Sequence, residues 1–538
     1  MPTQHINLAD LFENVVDAVP DREALYCEGR RLTFRELDER ANRLAHHFAS
    51  VGVRHGDHVG CHMMNGTEYV ETMLALFKIR AVPVNVNYRY VDEELRYLYS
   101  DADLVGVVFD AEFADRVSRV LPKVEKLKHL VVVGSTDGVD LPDGAVPYED
   151  ALAAQPADRS GFPERSEDDL FLIYTGGTTG MPKGVMWRQE DLFYAGMFGG
   201  YPAGEPVRDP AEAGPRAAAN SPLVSFPAAP LMHGAAELGT FINLLGGGKV
   251  VLIRKYTGDG VLELIDQEKA NTVTIVGDAM AVPIVEALKA GHSYDLSSWI
   301  VLASAGALLS QPMRDALVEH QPNLFILDNF GSSETGYNGA APPGAKVSDG
   351  LRFAVNERTQ VLGDDLQPIS PGSEEIGWVA QRGHIPLGYY NDPVKTAKTF
   401  VEAGGERWVL PGDMARVDAD GTMHFLGRGS VCINSGGEKI YPEEVEAALK
   451  THPAILDAVV AGVPDERWGQ RVAAVLQVRE GEAAPSQEDV EQHLATHIAR
   501  YKVPRLLQVV ETIQRSPSGK ADYGWASKVL QQAAGVSA

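Results

Sequence analysis

Short apolar runs alternate with helical patterns over most of the chain up to about residue 430, and this alternation limits the fold more than any other feature. The runs Leu104–Phe109, Leu130–Val133, Leu170–Tyr174, Lys249–Ile253, Thr272–Val276, Ile300–Leu302 and Leu324–Leu327 read as strands. Helical patterns such as Pro312–Glu319 lie between them. Strand–helix alternation predicts an α/β protein with largely parallel sheets. The chain has 538 residues, too many for one core, so two or more domains are expected. Gly199–Ala219, rich in Gly, Pro and Ala, predicts a long surface loop, and Gly134–Asp168 predicts a similar segment covering an edge.

A second unit begins near Gly427-Arg-Gly-Ser430. Pro442–Leu449 predicts a helix start, with proline at the first position and acids in the first turn. Strand-like runs follow at Ala458–Ala461 and Val472–Val478, then a helix over Gln487–Ile498 and a strand over Leu506–Val510. The expected division is residues 1–428, a large N-terminal domain of β-sheets flanked by helices, and residues 429–538, a small mobile α+β C-terminal domain. No long linker separates them, which predicts a hinge rather than a tether.

The formal charge is −26, from 48 basic and 74 acidic residues. Such a chain is repelled by nucleic acid and by anionic membrane surfaces, so neither is an expected partner. An anionic substrate would need a local cationic pocket. Cys27, Cys61 and Cys432 are dispersed, with no CxxC pair, which fits a reducing compartment and argues against a disulfide scaffold or a zinc site. No signal-peptide pattern, membrane-spanning run or peroxisomal address is present, and a cytoplasmic location without integral membrane association is expected. The residues leave the assembly open, a homodimer included.

Tyr174-Thr-Gly-Gly-Thr-Thr-Gly-Met-Pro-Lys-Gly184 follows the run Leu170–Tyr174 and precedes another strand-like run, Val185–Trp187. Threonine hydroxyls and glycine backbone in such a loop can turn donors toward phosphate oxygens. It is not the ordinary P-loop, which needs Gly-Lys followed by Ser or Thr and then a helix. Here Lys183 stands between Pro182 and Gly184.

Five further motifs follow in order. Pro230-Leu-Met232-His233-Gly places a histidine after a Pro/Ala-rich turn; a lone histidine is usually structural, and a pocket wall is the alternative. Ser304-Ala-Gly306-Ala307 follows a strand and suits either tight packing or the floor under a flat ring. Asn329-Phe330-Gly-Ser-Ser333-Glu334-Thr335-Gly336 puts a carboxylate among hydroxyls at a strand end. It could be a solvated turn or hold Mg²⁺, which takes one or two carboxylates and leaves the rest to water and phosphate. Leu410-Pro-Gly-Asp413 is a turn, or a carboxylate for ribose hydroxyls. Gly427-Arg428-Gly-Ser430 pairs with Ser516-Pro-Ser-Gly-Lys520, a loop whose lysine is ordinarily just an exposed charge.

Each signal is modest alone; their order and spacing together are specific. The chain resembles the adenylate-forming superfamily of acyl-CoA synthetases, firefly-type luciferases and peptide-synthetase adenylation domains, over nearly its whole length. The resemblance implies that ATP activates a carboxylic acid as acyl-adenylate with loss of pyrophosphate. The small domain then rotates, and the thiol of CoA attacks. It implies that Thr175, Thr178, Thr179 and Lys183 hold the β- and γ-phosphates, Glu334 holds Mg²⁺, and Ser333 or Thr335 touches the α-phosphate. Gly306, Ala307, Asn329 and Phe330 would line the nucleotide site, and Asp413 and Arg428 would bind ribose. Lys520 would bridge the carboxylate and the α-phosphate, and rotation would bring Gly436 and Gly437 to the pantetheine tunnel.

Three positions depart from the family pattern. The hinge Asp or Lys is Ser430, the Thr before Gly-Asp is Pro411, and the Tyr of the adenine motif is Phe330. Amino-acid-activating relatives carry an aspartate near His233, and Pro230–Ala236 has none. Its Ala and Gly content implies a roomy apolar acyl pocket walled by Met232, His233 and the Val276-Gly277-Asp-Ala-Met280 segment. The segments Met181–Arg188 and Gly427–Lys439 most resemble actinobacterial-type fatty and steroid side-chain acyl-CoA synthetases. The expected substrate is a medium or long, branched or polycyclic hydrophobic acid. The rivals are an aryl- or short-chain acid–CoA ligase, an acyl-AMP ligase and an inactive nucleotide- or acyl-binding module.

Overall fold

The computed structural model describes residues 5–175, 181–201, 204–342, 351–435, 438–465, 468–495, 497–515 and 520–535. Among these residues three β-sheets form the frame. The eight-stranded sheet runs in the order Gly388–Tyr389, Lys183–Arg188, Leu170–Thr175, Val82–Asn85, His58–His62, Leu104–Asp110, His129–Val133 and Ala145–Pro147. From Leu170–Thr175 outward its strands are parallel. Lys183–Arg188 turns back antiparallel, with Lys183 opposite Thr175. The apolar runs are strands because both faces are covered: Val107, Val108 and Phe109 are fully buried.

The fifteen-stranded sheet is parallel from Glu23–Cys27 through Lys249–Leu252, Val224–Pro227, Thr272–Ile275 and Val301–Ala305 to Phe325–Ser332. It then becomes antiparallel through Gly336–Ala340, Leu351–Val355, Met423–Arg428, Asp413–Val417 and Gly377–Arg382. Parallel pairing therefore holds for only part of this sheet. Beyond Ser332, links such as 333–335 and 418–422 are too short for a crossover helix, so only antiparallel pairing is open to them.

Two other expectations are corrected. Gly199–Ala219 is not all loop: Pro210–Glu212 makes a turn capped by Asp209, and Ala213–Ala219 is a helix. Its alanines favour helix, and its small face lies on the helix Leu8–Ala18, where a β-carbon on Gly214 would stand 2.5 Å from the carbonyl of Asn14. The helix from Gln487 ends at Leu494, not Ile498, because the amides of His497 and Ile498 both turn onto the Leu494 carbonyl. Gly134–Asp168 contributes the edge strand Ala145–Pro147 and the helix Tyr148–Ala153.

The chain leaves the large sheet at Arg428 and enters a five-stranded sheet at Ile433. There Ile455–Asp465 and Gly469–Val478 form a long antiparallel pair, and Leu506–Val510 joins in parallel. This small lobe has its own core of Ile433, Val445, Ile455, Val460 and Leu476. Among the described residues no helix is long and apolar enough to cross a membrane. The parallel strands of both large-lobe sheets end at one cleft, where such sheets commonly bind ligands.

Candidate active site

The cleft encloses a cavity of about 470 Å³. Thr175 lines it from a strand end, Asn329 and Phe330 from the second half of the strand Phe325–Ser332, Ser333 and Gly306 from just beyond strands, and Met232 and His233 from the lead into the helix Gly234–Leu245. Lys520 lines it from the small lobe. The Cε of Lys520 lies 3.8 Å from the point that a β-carbon on Gly306 would occupy, an ordinary contact distance, and the φ of +80° at Gly306 favours glycine for its backbone.

Hydrogen bonds fix the polar side. The indole nitrogen of Trp187 donates to the Ser333 carbonyl at 2.9 Å. Thr335 is buried, and its hydroxyl is engaged by Asn338 at 2.5 Å, so Ser333 rather than Thr335 presents a hydroxyl at the cavity. The Thr335 carbonyl accepts from Gln381 at 2.6 Å, and Gln381 in turn accepts from Asn338 at 2.8 Å. The hydroxyl of Tyr389 donates to Glu334 at 2.8 Å, and Glu334 is 6% exposed. Lys395 lies 4.4 Å over the Tyr389 ring. Lys183 pairs with Asp392, which also caps the helix Pro393–Thr399. Phe330 packs on Phe353 and Phe425, at centroid separations of 4.9 and 5.1 Å.

Lys520, Arg428, Asp413 and Glu334 share one electrostatic environment. Burial lowers the Lys520 pKa and Arg428 adds to that, while Glu334 and Asp413 oppose it. Burial raises the Asp413 carboxyl, although Arg428 donates to it at 3.1 Å. The charge of Asp413 in turn raises the Arg428 pKa. Two cations and two carboxylates thus act on one another at largely buried positions, where charge interactions are stronger than in bulk water. Of these four only Lys520 lines the cavity, and Lys183 does not line it either.

Other expected site residues lie elsewhere. Ala307 packs against the main core, away from the cavity lining. Gly277 does not line the cavity either: its φ is +53°, and a β-carbon there would stand 2.5 Å from the Leu308 carbonyl, so it is a packing glycine. Thr178, Thr179, Gly436 and Gly437 lie outside the described residues. One wall of the cavity is apolar. Helix Gly234–Leu245 presents Ala235, Leu238, Gly239 and Ile242, and Leu192 and Gly196 face it from the helix Gln189–Gly196. Ala235 and Ile242 are two turns apart, about 10 Å along the axis.

Among the described residues no cluster of three metal-ligating side chains exists. A single buried carboxylate, Glu334, is a donor set that fits Mg²⁺ shared with phosphate oxygens and water.

The AMP-binding enzyme family model matches residues 12–390, and the AMP-binding enzyme C-terminal domain matches residues 444–520. The chain belongs to the AMP-binding enzyme family. It is 47% identical over 531 residues to the 3-oxocholest-4-en-26-oate–CoA ligase of Rhodococcus rhodochrous, covering 97% of this chain and 95% of that one. It is 48% identical over 537 residues to a medium/long-chain-fatty-acid–CoA/3-oxocholest-4-en-26-oate–CoA ligase of Mycolicibacterium smegmatis, covering 98% and 97%. Its fold is shared with the anthranilate CoA ligase AuaEII in complex with anthranoyl-AMP, with a TM-score of 0.85 at 23% identity over 100% and 99% of the two chains.

Several residues of this AMP-binding enzyme's cleft escaped the sequence reading. Asn85 donates to the carbonyls of Tyr174 at 2.8 Å and Met232 at 2.7 Å, tying the strand Leu170–Thr175 to the turn before the helix Gly234–Leu245. No local pattern marks it, because its partners are 89 and 147 positions away. Tyr389 and Lys395 likewise carry no motif. Asp392 did carry a signal, since Asp before Pro393 is a helix-start pattern.

Proposed function

We propose that this chain is an ATP-dependent acid–CoA ligase that activates a hydrophobic carboxylic acid, medium or long chain, branched or steroid-like, through an acyl-adenylate. The observation that carries this reading is the placement of Lys520 against Gly306, in a cavity whose far wall is apolar helix. The names of the relatives, which act on fatty acids and on a steroid side-chain acid, support the acid class.

In the first step a carboxylate oxygen attacks the α-phosphorus of ATP, and the bond to pyrophosphate breaks. Two anions must meet while charge grows on the α-phosphoryl oxygens, so preplaced cations in a dry site lower the barrier. We assign Lys520 to bridge carboxylate and phosphate and Ser333 to donate to a phosphate oxygen; both line the cavity. Thr175 and Lys183 hold the outer phosphates, which would draw Lys183 away from Asp392. Asp413 and Arg428 hold the ribose. Glu334 would hold Mg²⁺, which supplies charge neutralisation to the phosphates. In the second step the CoA thiol gives up its proton, sulfur attacks the acyl carbon, and AMP leaves. We assign that step to a rotated small lobe, with Lys520 withdrawn from the cleft. The three dispersed cysteines, none of them in a disulfide, support a reducing, cytoplasmic setting.

The test is a panel of acids with ATP, Mg²⁺ and CoA, read by mass spectrometry. A long-chain or polycyclic acid should give the highest yield of acyl-CoA, with AMP and pyrophosphate. Acetate or benzoate as the best substrate would overturn the acid class, and acyl-AMP without thioester would overturn the ligase reading.

A further inference from the structure

The Val276–Met280 segment borders the cavity through Val276, but its aspartate faces the other lobe. Asp278 stands in the first turn of the helix Gly277–Lys289. One carboxylate oxygen accepts from the Ser310 amide at 2.8 Å, and its own amide donates to the Leu308 carbonyl at 3.1 Å. The helix terminus and Ser310 therefore hold Asp278 in place using the large lobe alone. Its second oxygen is buried, has no hydrogen-bond partner among the described residues, and lies 3.7 Å from the ammonium of Lys450.

Lys450 ends the helix Pro442–Leu449 of the small lobe and is 4% exposed. It pairs with Asp457 at 2.9 Å. Arg515 binds the same carboxylate at 2.6 and 3.0 Å. The small lobe thus sets two cations, the buried Lys450 and the partly buried Arg515, against Asp457. Glu446, the other carboxylate nearby, is pushed up to about 7 by burial and is only a partial counter-charge at neutral pH. Asp278 of the large lobe supplies the remaining balance, and it does so only when the lobes meet in this arrangement.

The same series of contacts reaches Lys520. Arg515 forms an antiparallel β-bridge with Ala521, the residue after Lys520. A continuous path therefore runs from Asp278 through Lys450, Asp457, Arg515 and Ala521 to the lysine over the cleft.

We propose that Asp278 and Lys450 are positioning residues for adenylate formation: their ion pair across the lobes sets the register of the segment bearing Lys520 and is given up before the thioester step. The inference rests on the two-step reading above. Neither residue touches the cavity, so both act through Lys520.

The test measures the two half-reactions separately in the full-length enzyme. Asp278→Asn keeps the shape and the Ser310 contact and removes the charge. Acid-dependent ATP–pyrophosphate exchange should fall about tenfold, while thioester formation from supplied acyl-adenylate and CoA stays unchanged or rises. Lys450→Met should show the same split, and Asp278→Glu should restore most of the exchange. Equal losses in both half-reactions, or no loss in either, would overturn the proposal. Lys520→Ala run alongside separates the two readings. If exchange survives that change, the role of the small lobe is wrong; if exchange collapses there but not in Asp278→Asn, only the positioning pair is wrong.

Discussion

The polar and apolar ends of the cavity are held in opposite ways. At the polar end nearly every group has a fixed partner: Trp187 on Ser333, Tyr389 on Glu334, Arg428 on Asp413, and the Thr335–Asn338–Gln381 network beneath. At the apolar end Gly196, Ala235, Leu238, Gly239 and Ile242 present surface without direction, and a β-carbon on Gly239 would meet nothing within 4 Å. Charge transfer at phosphorus requires donors placed in advance, because reorienting them during reaction would cost energy. A hydrocarbon asks only for dry volume, since hydrophobic attraction scales with area and has no preferred angle. Small errors at the polar end should therefore abolish chemistry, and large changes at the apolar end should redirect it.

The contrast can be broken at its strongest point first. Glu334→Gln should lower pyrophosphate release about a thousandfold and move the Mg²⁺ requirement to higher concentration, with an unchanged melting temperature. A loss equal to that of an apolar-wall variant would erase the distinction. Gly239→Leu fills the open space on the acyl helix. It should cost polycyclic acids about a hundredfold in kcat/KM while a six-carbon acid loses little, as competition between the two acids would show. Tyr389→Phe removes one hydrogen bond to a carboxylate and should cost adenylation about tenfold, with acid preference untouched.

The smallest effect is in the pH profile. The ammonium of Lys520 is the useful form, and burial lowers its pKa. Adenylation should thus decline as pH rises through that lowered value, before ordinary lysines titrate, and transfer to CoA should lack this limb. Measuring each half-reaction against pH, with Lys520→Arg as the comparison that stays charged, checks the assignment.

The same contrast explains what the residues disclosed before any coordinates. The run Leu104–Phe109 was readable because strands buried on both faces must be continuously apolar, and Thr272–Val276 because its β-branched residues suit a strand, with Val273 and Ile275 buried between half-buried threonines. The antiparallel half of the large sheet was not, since its strands mix glycine, polar and charged residues among the apolar ones, as in Gly336–Ala340 and Gly377–Arg382. The helix Ala213–Ala219 was hidden by the Gly and Pro around it, and its place depends on contact with a helix some 200 positions earlier. At the cleft, Lys520 stood out because its loop recurs in a known family. Asn85, Tyr389, Lys450 and Asp278 act through partners distant in sequence, and single-chain patterns carry no trace of such pairings. Gly277 and Ala307 were singled out by position in a motif, yet the space around each shows packing against the 305–308 turn and the core.

The central claim is that a lysine of the small lobe serves one half-reaction and not the other. The direct measurement is Lys520→Ala assayed for acid-dependent ATP–pyrophosphate exchange and, separately, for thioester formation from supplied acyl-adenylate and CoA. The account predicts that exchange drops by about a thousandfold while thioester formation persists. Equal loss of both activities, or full retention of exchange, would contradict it.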